Sequence, residues 1–187
     1  GIDPGDILVI TFTRAAAEEM RERYEALIGG GSRVTFGTFH SIFFRILKLA
    51  YRYTADNIVW EEQQMQFVRE LAQAGGLEPE DENEFAASIL SEISSVKGER
   101  IALEHYYSKN CPDAVFRQLY AGYEEKMRRA GLIDFDDMMV LCLELFTERK
   151  DILSAWQRRY RYILIDEFQD INRLQYEIVR MLAKPED

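Results

Sequence analysis

The 187-residue sequence predicts an α/β fold, a partial parallel sheet that carries a large, mainly α-helical insertion. Three observations predict it. Two short apolar runs, Ile7–Phe12 near the beginning and Tyr162–Ile165 near the end, are too short for helices and rich in β-branched residues, which reads as strands buried on both faces of a parallel sheet. After the first run the hydrophobic period changes to that of a helix and then back to that of a strand, the pattern of a βαβ unit. The stretch 53–130 is helical in pattern and has no internal repeat, so it stands as an inserted subdomain between 1–52 and 131–187.

Each element follows from local signals. Asp3-Pro4-Gly5-Asp6 is a turn that introduces the first strand. Ala17, Met20, Tyr24, Leu27 and Ile28 share one face of a helix from about Arg14, stopped by Gly29-Gly30-Gly31. Arg33–Phe36 returns as a strand, and Thr38-Phe39-His40-Ser41 opens a helix carrying Ile42, Phe43, Ile46, Leu47 and Ala50. Helices are expected over Glu61–Ala74, Glu82–Val96 and Asp113–Ala130, separated by Gly76-Leu77-Glu78-Pro79 and Asn110-Cys111-Pro112. Asp134 is a natural N-cap, and Asp136 and Asp137 suit the positive end of a helix whose body, Met138–Phe146, is apolar almost all round and therefore buried. That role is preferred to a metal site for the three carboxylates. Asp151–Tyr160 leads back to the last strand, and Leu174, Ile178, Met181 and Leu182 mark a final helix.

Composition narrows the function. No apolar run approaches the roughly 20 residues of a membrane helix and the first residues lack a signal peptide's features, which places the protein in the cytoplasm, with no membrane partner. Cys111 and Cys142 read as buried free thiols, and His40 and His105 are too isolated to suggest a metal. The net charge of −10 argues against nucleic acid, but its distribution softens the objection. From Thr13 to Arg52 seven basic residues face four acidic ones, whereas from Asp56 to Glu104 three face twelve, so a nucleic-acid path should avoid the central region.

The residues that carry chemistry stand at the end of the last strand. In open α/β sheets ligands bind at the carboxyl ends of strands, where Asp166 can hold a hydrated Mg²⁺ and Glu167 can polarise a water for attack on a phosphate. Asp-Glu at a strand end also occurs where a chain simply turns into solvent. The continuation Asp166-Glu167-Phe168-Gln169-Asp170-Ile171-Asn172 closely resembles the DExx box of UvrD/Rep/PcrA-type superfamily 1 DNA helicases, with Ile171 in place of the usual Thr and a possible capping hydroxyl lost. Thr11-Phe12-Thr13-Arg14-Ala15-Ala16-Ala17-Glu18-Glu19-Met20 resembles motif Ia of the same family, and Gly37-Thr38-Phe39-His40-Ser41 resembles its next DNA-contacting motif.

This resemblance implies a P-loop NTPase (RecA-like) motor domain, partial here, with ATP and Mg²⁺ as cofactors of the intact protein. It implies catalytic roles for Glu167 and Asp166, the latter as metal ligand, and a nucleotide contact at Gln169. It also implies DNA contacts from Thr11, Phe12, Arg14, Thr38, His40 and Ser41, and as partners single-stranded DNA and single/double-strand junctions. An aromatic face stacks on any base, while hydroxyls and imidazole bind sugar and phosphate without reading sequence. From the residues alone, without the resemblance, Phe12 reads first as a core residue at a strand end, and Thr38 and Ser41 as a helix cap. The family often has Asn-Lys where this chain has Arg14-Ala15, which displaces the basic group by one position.

A motor also needs a phosphate cradle, Gly-x-x-x-x-Gly-Lys-Ser/Thr. The eleven glycines include no Gly-Lys pair, so the sequence is expected to be part of a larger ATP-driven translocase and to bind no nucleotide tightly alone. Two alternatives share these motifs: a helicase-nuclease subunit of RecB/AddA type, and a non-catalytic DNA- or partner-binding module.

Overall fold

A computed structural model describes residues 1–183. The chain runs β1 (Ile7–Thr11), α1 (Arg14–Ile28), β2 (Thr35–Thr38), α2 (Phe39–Ala50), α3 (Glu61–Ala74), α4 (Glu82–Gly98), α5 (Asp113–Ala130), α6 (Phe135–Glu148), α7 (Lys150–Arg159), β3 (Tyr162–Ile165) and α8 (Arg173–Leu182). It forms two compact units, Gly1–Tyr51 with the segment from Met138 onward, and Arg52–Asp137. Among the described residues no helix is long and apolar enough to cross a membrane.

The first unit is built on a three-stranded parallel sheet of order β2-β1-β3. Leu8 and Ile10 of the central strand are fully buried, as are Phe43, Ile46 and Leu47 of α2. Two strand expectations shift. β2 lies two residues later than Arg33–Phe36, because Thr35 to Thr38 are the residues that pair with Leu8 to Thr11. β3 is not buried on both faces: Tyr162 and Leu164 are exposed, and Ile163 and Ile165 are half-buried. Successive side chains of a strand point to opposite faces, so this alternation means that one face of β3 is left uncovered among the described residues.

In α1 the expected stripe is covered only at Ala17, Met20 and Tyr24; Leu27 and Ile28 are exposed. Gly29 ends that helix in the left-handed region, at φ 72°, where its lack of a Cβ removes the steric penalty. Cys142 of α6 is buried and donates to the Phe43 carbonyl at 3.4 Å. Cys111 is a free thiol too, but only partly buried.

The second unit packs α3, α4 and α5 around Val68, Ile89, Ile93, Phe116, Leu119 and Tyr123. Residues 131–134 belong to it. Val59 N donates to Ile133 O at 3.0 Å, Ile133 N donates to Asn57 O at 2.7 Å, and the Asn57 amide donates to Gly131 O at 2.9 Å. Asp134 caps α6 as expected: its Oδ1 accepts from Asp137 N at 2.7 Å, and Asp137 Oδ2 accepts from Asp134 N at 3.1 Å.

The sequence pattern did not disclose Lys97, which is 7% exposed at the end of α4. Its ammonium lies 2.7 Å from Glu124 Oε1, 2.9 Å from Asp134 Oδ2 and 2.7 Å from Asp137 Oδ1. Tyr123 donates to Asp134 at 3.1 Å and accepts from Gln64 at 2.7 Å. Burial opposes the charge on Lys97, but the three carboxylates outweigh it and hold the lysine protonated.

Burial pushes Asp136 up to about 6, and burial with the adjacent Asp134 charge does the same to Asp137. An upward shift means that the folded unit keeps protons the unfolded chain has released, so stability from this source is present at low pH and declines as pH rises toward 6. Asp136→Asn is therefore expected to raise the unfolding midpoint near neutral pH, with the gain vanishing below about pH 4, the ordinary carboxylate range. Thermal unfolding across that range is the check, and a pH-independent difference would assign the effect to something other than this titration.

Candidate nucleotide and nucleic-acid site

Parallel pairing places the ends of all three strands on one edge of the sheet. Thr11 pairs with Thr38, Ile10 pairs with Ile165, and Asp166 N extends the ladder by donating to Ile10 O at 3.0 Å. The carboxylates that follow β3 and the polar and aromatic groups that follow β1 and β2 therefore lie on adjacent strands, which are about 4.8 Å apart.

Asp166 is half-buried and Glu167 is exposed. Glu167 adopts φ 51°, ψ 45°, a left-handed conformation that non-glycine residues adopt infrequently and that often marks functional turns. The turn reverses the chain straight after the strand and leaves this carboxylate clear of the sheet. The Gln169 amide donates to Glu167 Oε2 and holds it from two residues away. Asp170 N closes the turn on Glu167 O at 2.9 Å. The helix that follows is capped by Asn172, not by the residue at 171: Asn172 Oδ1 accepts from Gln175 N at 2.8 Å, and Gln175 Oε1 accepts from Asn172 N at 3.0 Å. Ile171 therefore costs α8 no cap, because the reciprocal pair sits one residue later.

On the other side of β1, Phe12 is 37% exposed, its ring 5.4 Å from that of buried Phe39. One face is thus supported by the core while part of the ring stays open. Thr11, one of the expected DNA contacts, ends β1. Its side chain is fully buried and its hydroxyl donates to Thr13 O at 2.9 Å, so it shapes the turn and presents nothing outward. Thr13, absent from the sequence-based candidates, caps α1 by accepting from Ala16 N at 3.1 Å. Arg14 is exposed and paired with Glu18 at 2.9 Å, an i,i+4 surface pair that an incoming phosphate can displace at little cost.

Thr38 and Ser41 form a reciprocal cap. Thr38 Oγ1 accepts from Ser41 N at 3.1 Å and Ser41 Oγ accepts from Thr38 N at 2.9 Å. Both hydroxyls are thereby fixed at the exposed start of α2. Gly37 permits this closeness, since a Cβ there would stand 2.7 Å from Ser41 Oγ and 3.0 Å from Ile42 Cδ1. Burial lowers the pKa of His40, which keeps its imidazole neutral near pH 7 as a hydrogen-bonding group instead of a cation.

The UvrD/REP helicase N-terminal domain model matches residues 1–187. The chain is 39% identical to a putative ATP-dependent DNA helicase, YjcD, of Bacillus subtilis, over all of this chain and 25% of that protein. It is 34% identical to the ATP-dependent DNA helicase PcrA of the same organism, with 98% of this chain and 25% of that protein covered. It is 35% identical to DNA helicase II of Escherichia coli, with 96% and 26% covered. The chain thus spans about a quarter of the length of these relatives. Since that family model matches the chain from residue 1 to residue 187, the chain belongs to the UvrD/REP helicase family, within its N-terminal domain.

Proposed function

We propose that this chain is part of the RecA-like motor of an ATP-dependent DNA helicase, a cytoplasmic enzyme that couples ATP hydrolysis to movement along single-stranded DNA and unwinding at single/double-strand junctions. The observation that carries the reading is the left-handed turn at Glu167, which sets an exposed carboxylate beside half-buried Asp166 on the same sheet edge as Phe12 and the cap of α2. Oxygen donors at a strand end suit Mg²⁺, which keeps several waters and needs few protein ligands. When bound with ATP, the ion neutralises phosphate charge and polarises the γ-phosphate. Asp166 would supply it a carboxylate oxygen. Glu167 accepts a proton from the attacking water, and Gln169 orients Glu167 through its hydrogen bond.

Phe12 offers a part-open ring for a base, and Arg14, Thr38, His40 and Ser41 line the same strand ends for sugar and phosphate contacts that are indifferent to sequence. Phe12→Ala in the intact protein is expected to cost about 1–3 kcal/mol of single-strand affinity with little change in base preference. Fluorescence anisotropy with labelled oligonucleotides checks this, and unchanged affinity with a lower unfolding temperature would make Phe12 a core residue only.

The 187 residues contain no phosphate loop, so Asp166 and Glu167 alone would set negative charge against a polyanion. Calorimetric titration of these residues alone with a slowly hydrolysed ATP analogue and Mg²⁺ should give no saturable binding. Micromolar binding abolished by Asp166→Ala would reveal a complete nucleotide site within them and overturn this expectation.

A further inference from the structure

A second feature of the sheet unit lies away from that edge. α2 starts at Phe39, directly after β2, and runs back along the sheet, so Leu49 lies about 15 Å further along at about 1.5 Å per residue, close to the length of a four-residue strand. α7 ends at Arg159, three residues before β3 begins. The two helices therefore meet toward the amino-terminal edge of the sheet, opposite Phe12 and Asp166.

There Arg45, Leu49, Ala155, Trp156 and Arg159 line a groove of about 380 Å³. Trp156 is buried beneath it, whereas Leu49 is 76% exposed. Neither Arg45 nor Arg159 has a carboxylate partner among the described residues, although the chain carries 33 acidic residues against 23 basic ones. Lys48 and Arg158, also exposed, extend the positive surface along the same helices. Arg159 lies over the Tyr160 ring at 5.3 Å, and Tyr160 registers the field: burial pushes its phenol up, but hydrogen bonds with Thr35 and Arg159 and the charges of Arg159 and Arg45 more than reverse this.

We propose that this groove is a docking site for an acidic peptide segment of a partner protein, one that alternates carboxylates with apolar side chains. Guanidinium groups bind carboxylates in a planar, bidentate fashion, and the two arginines offer that fork on either side of an apolar strip. A bare phosphate would use the arginines but leave Leu49 exposed. An acidic peptide with a Phe or Leu between its carboxylates satisfies both, and arginine is enriched at protein interfaces.

The test uses the intact full-length protein and a fluorescein-labelled short peptide alternating Asp or Glu with Phe and Leu, read by anisotropy. Saturable binding is expected, weakened about tenfold or more by the double variant R45E/R159E and by raised salt, as for charge-assisted interfaces. The same peptide with Asn and Gln in place of its carboxylates should not bind. DNA-stimulated ATP hydrolysis of R45E/R159E should match the parent, which separates a docking defect from damage to the motor or the fold. Absence of saturable peptide binding would overturn the proposal. So would stoichiometric displacement of the peptide by a single-stranded oligonucleotide, which would make the groove a nucleic-acid contact.

Discussion

Glu167→Gln in the intact protein is expected to lower DNA-stimulated ATP hydrolysis about 10²–10⁴-fold, the usual contribution of a positioned general base. The substitution keeps the size and the hydrogen-bonding reach of the side chain but removes the oxygen basicity that takes a proton from water. The left-handed backbone is retained, since Gln bears the same Cβ, and the contact with Gln169 can persist through the amide oxygen. Nucleotide binding should be close to normal, because the positioned cation depends on Asp166. Steady-state hydrolysis together with titration of a labelled nucleotide separates the two effects. Near-parental turnover would remove Glu167 from the mechanism, and lost binding would instead make it a ligand.

Lys97→Met should destabilise the protein by about 3–5 kcal/mol, the cost of removing one partner from a buried ion pair. The apolar stem is matched by Met, so packing is nearly conserved. What is lost is the cation within 2.9 Å of Asp134, Glu124 and Asp137, whose carboxylates then repel one another in a poorly solvated space. Chemical denaturation gives the difference directly. The triple variant K97M/D134N/D137N should recover part of it, since it leaves only Glu124, the most exposed of the three carboxylates, charged. A loss below about 1 kcal/mol for Lys97→Met would class the cluster with surface pairs, whose contribution is of that order.

Much of the local structure was legible in the residues. β1, the helices of both units and the Asp134 cap follow from hydrophobic period and capping chemistry, because those signals act within a few residues along the chain. So did the grouping of Asp166, Glu167, Phe12 and the Thr38–Ser41 turn as candidates, since each follows directly on an apolar run or on Gly37.

Other features depended on partners distant in sequence. The alternating exposure of β3 depends on what packs against each of its two faces, and its composition alone reads as a strand covered on both. Thr11 and Phe12 are neighbours in a motif, yet pleating turns one into the core and leaves the other half-open. Lys97 looks like any solvated lysine near a helix end until the fold brings carboxylates from 27, 37 and 40 positions downstream around it. Arg45 and Arg159 are separated by more than half the chain, and only the packing of α2 against α7 makes them the two sides of one groove. The sequence by itself determined the elements, the βαβ order and the chemistry available at the strand ends, because local sterics and hydrophobic period decide those. The tertiary structure alone decided which side chains meet solvent and which charges share a buried space, because both depend on neighbours that the chain supplies from far away.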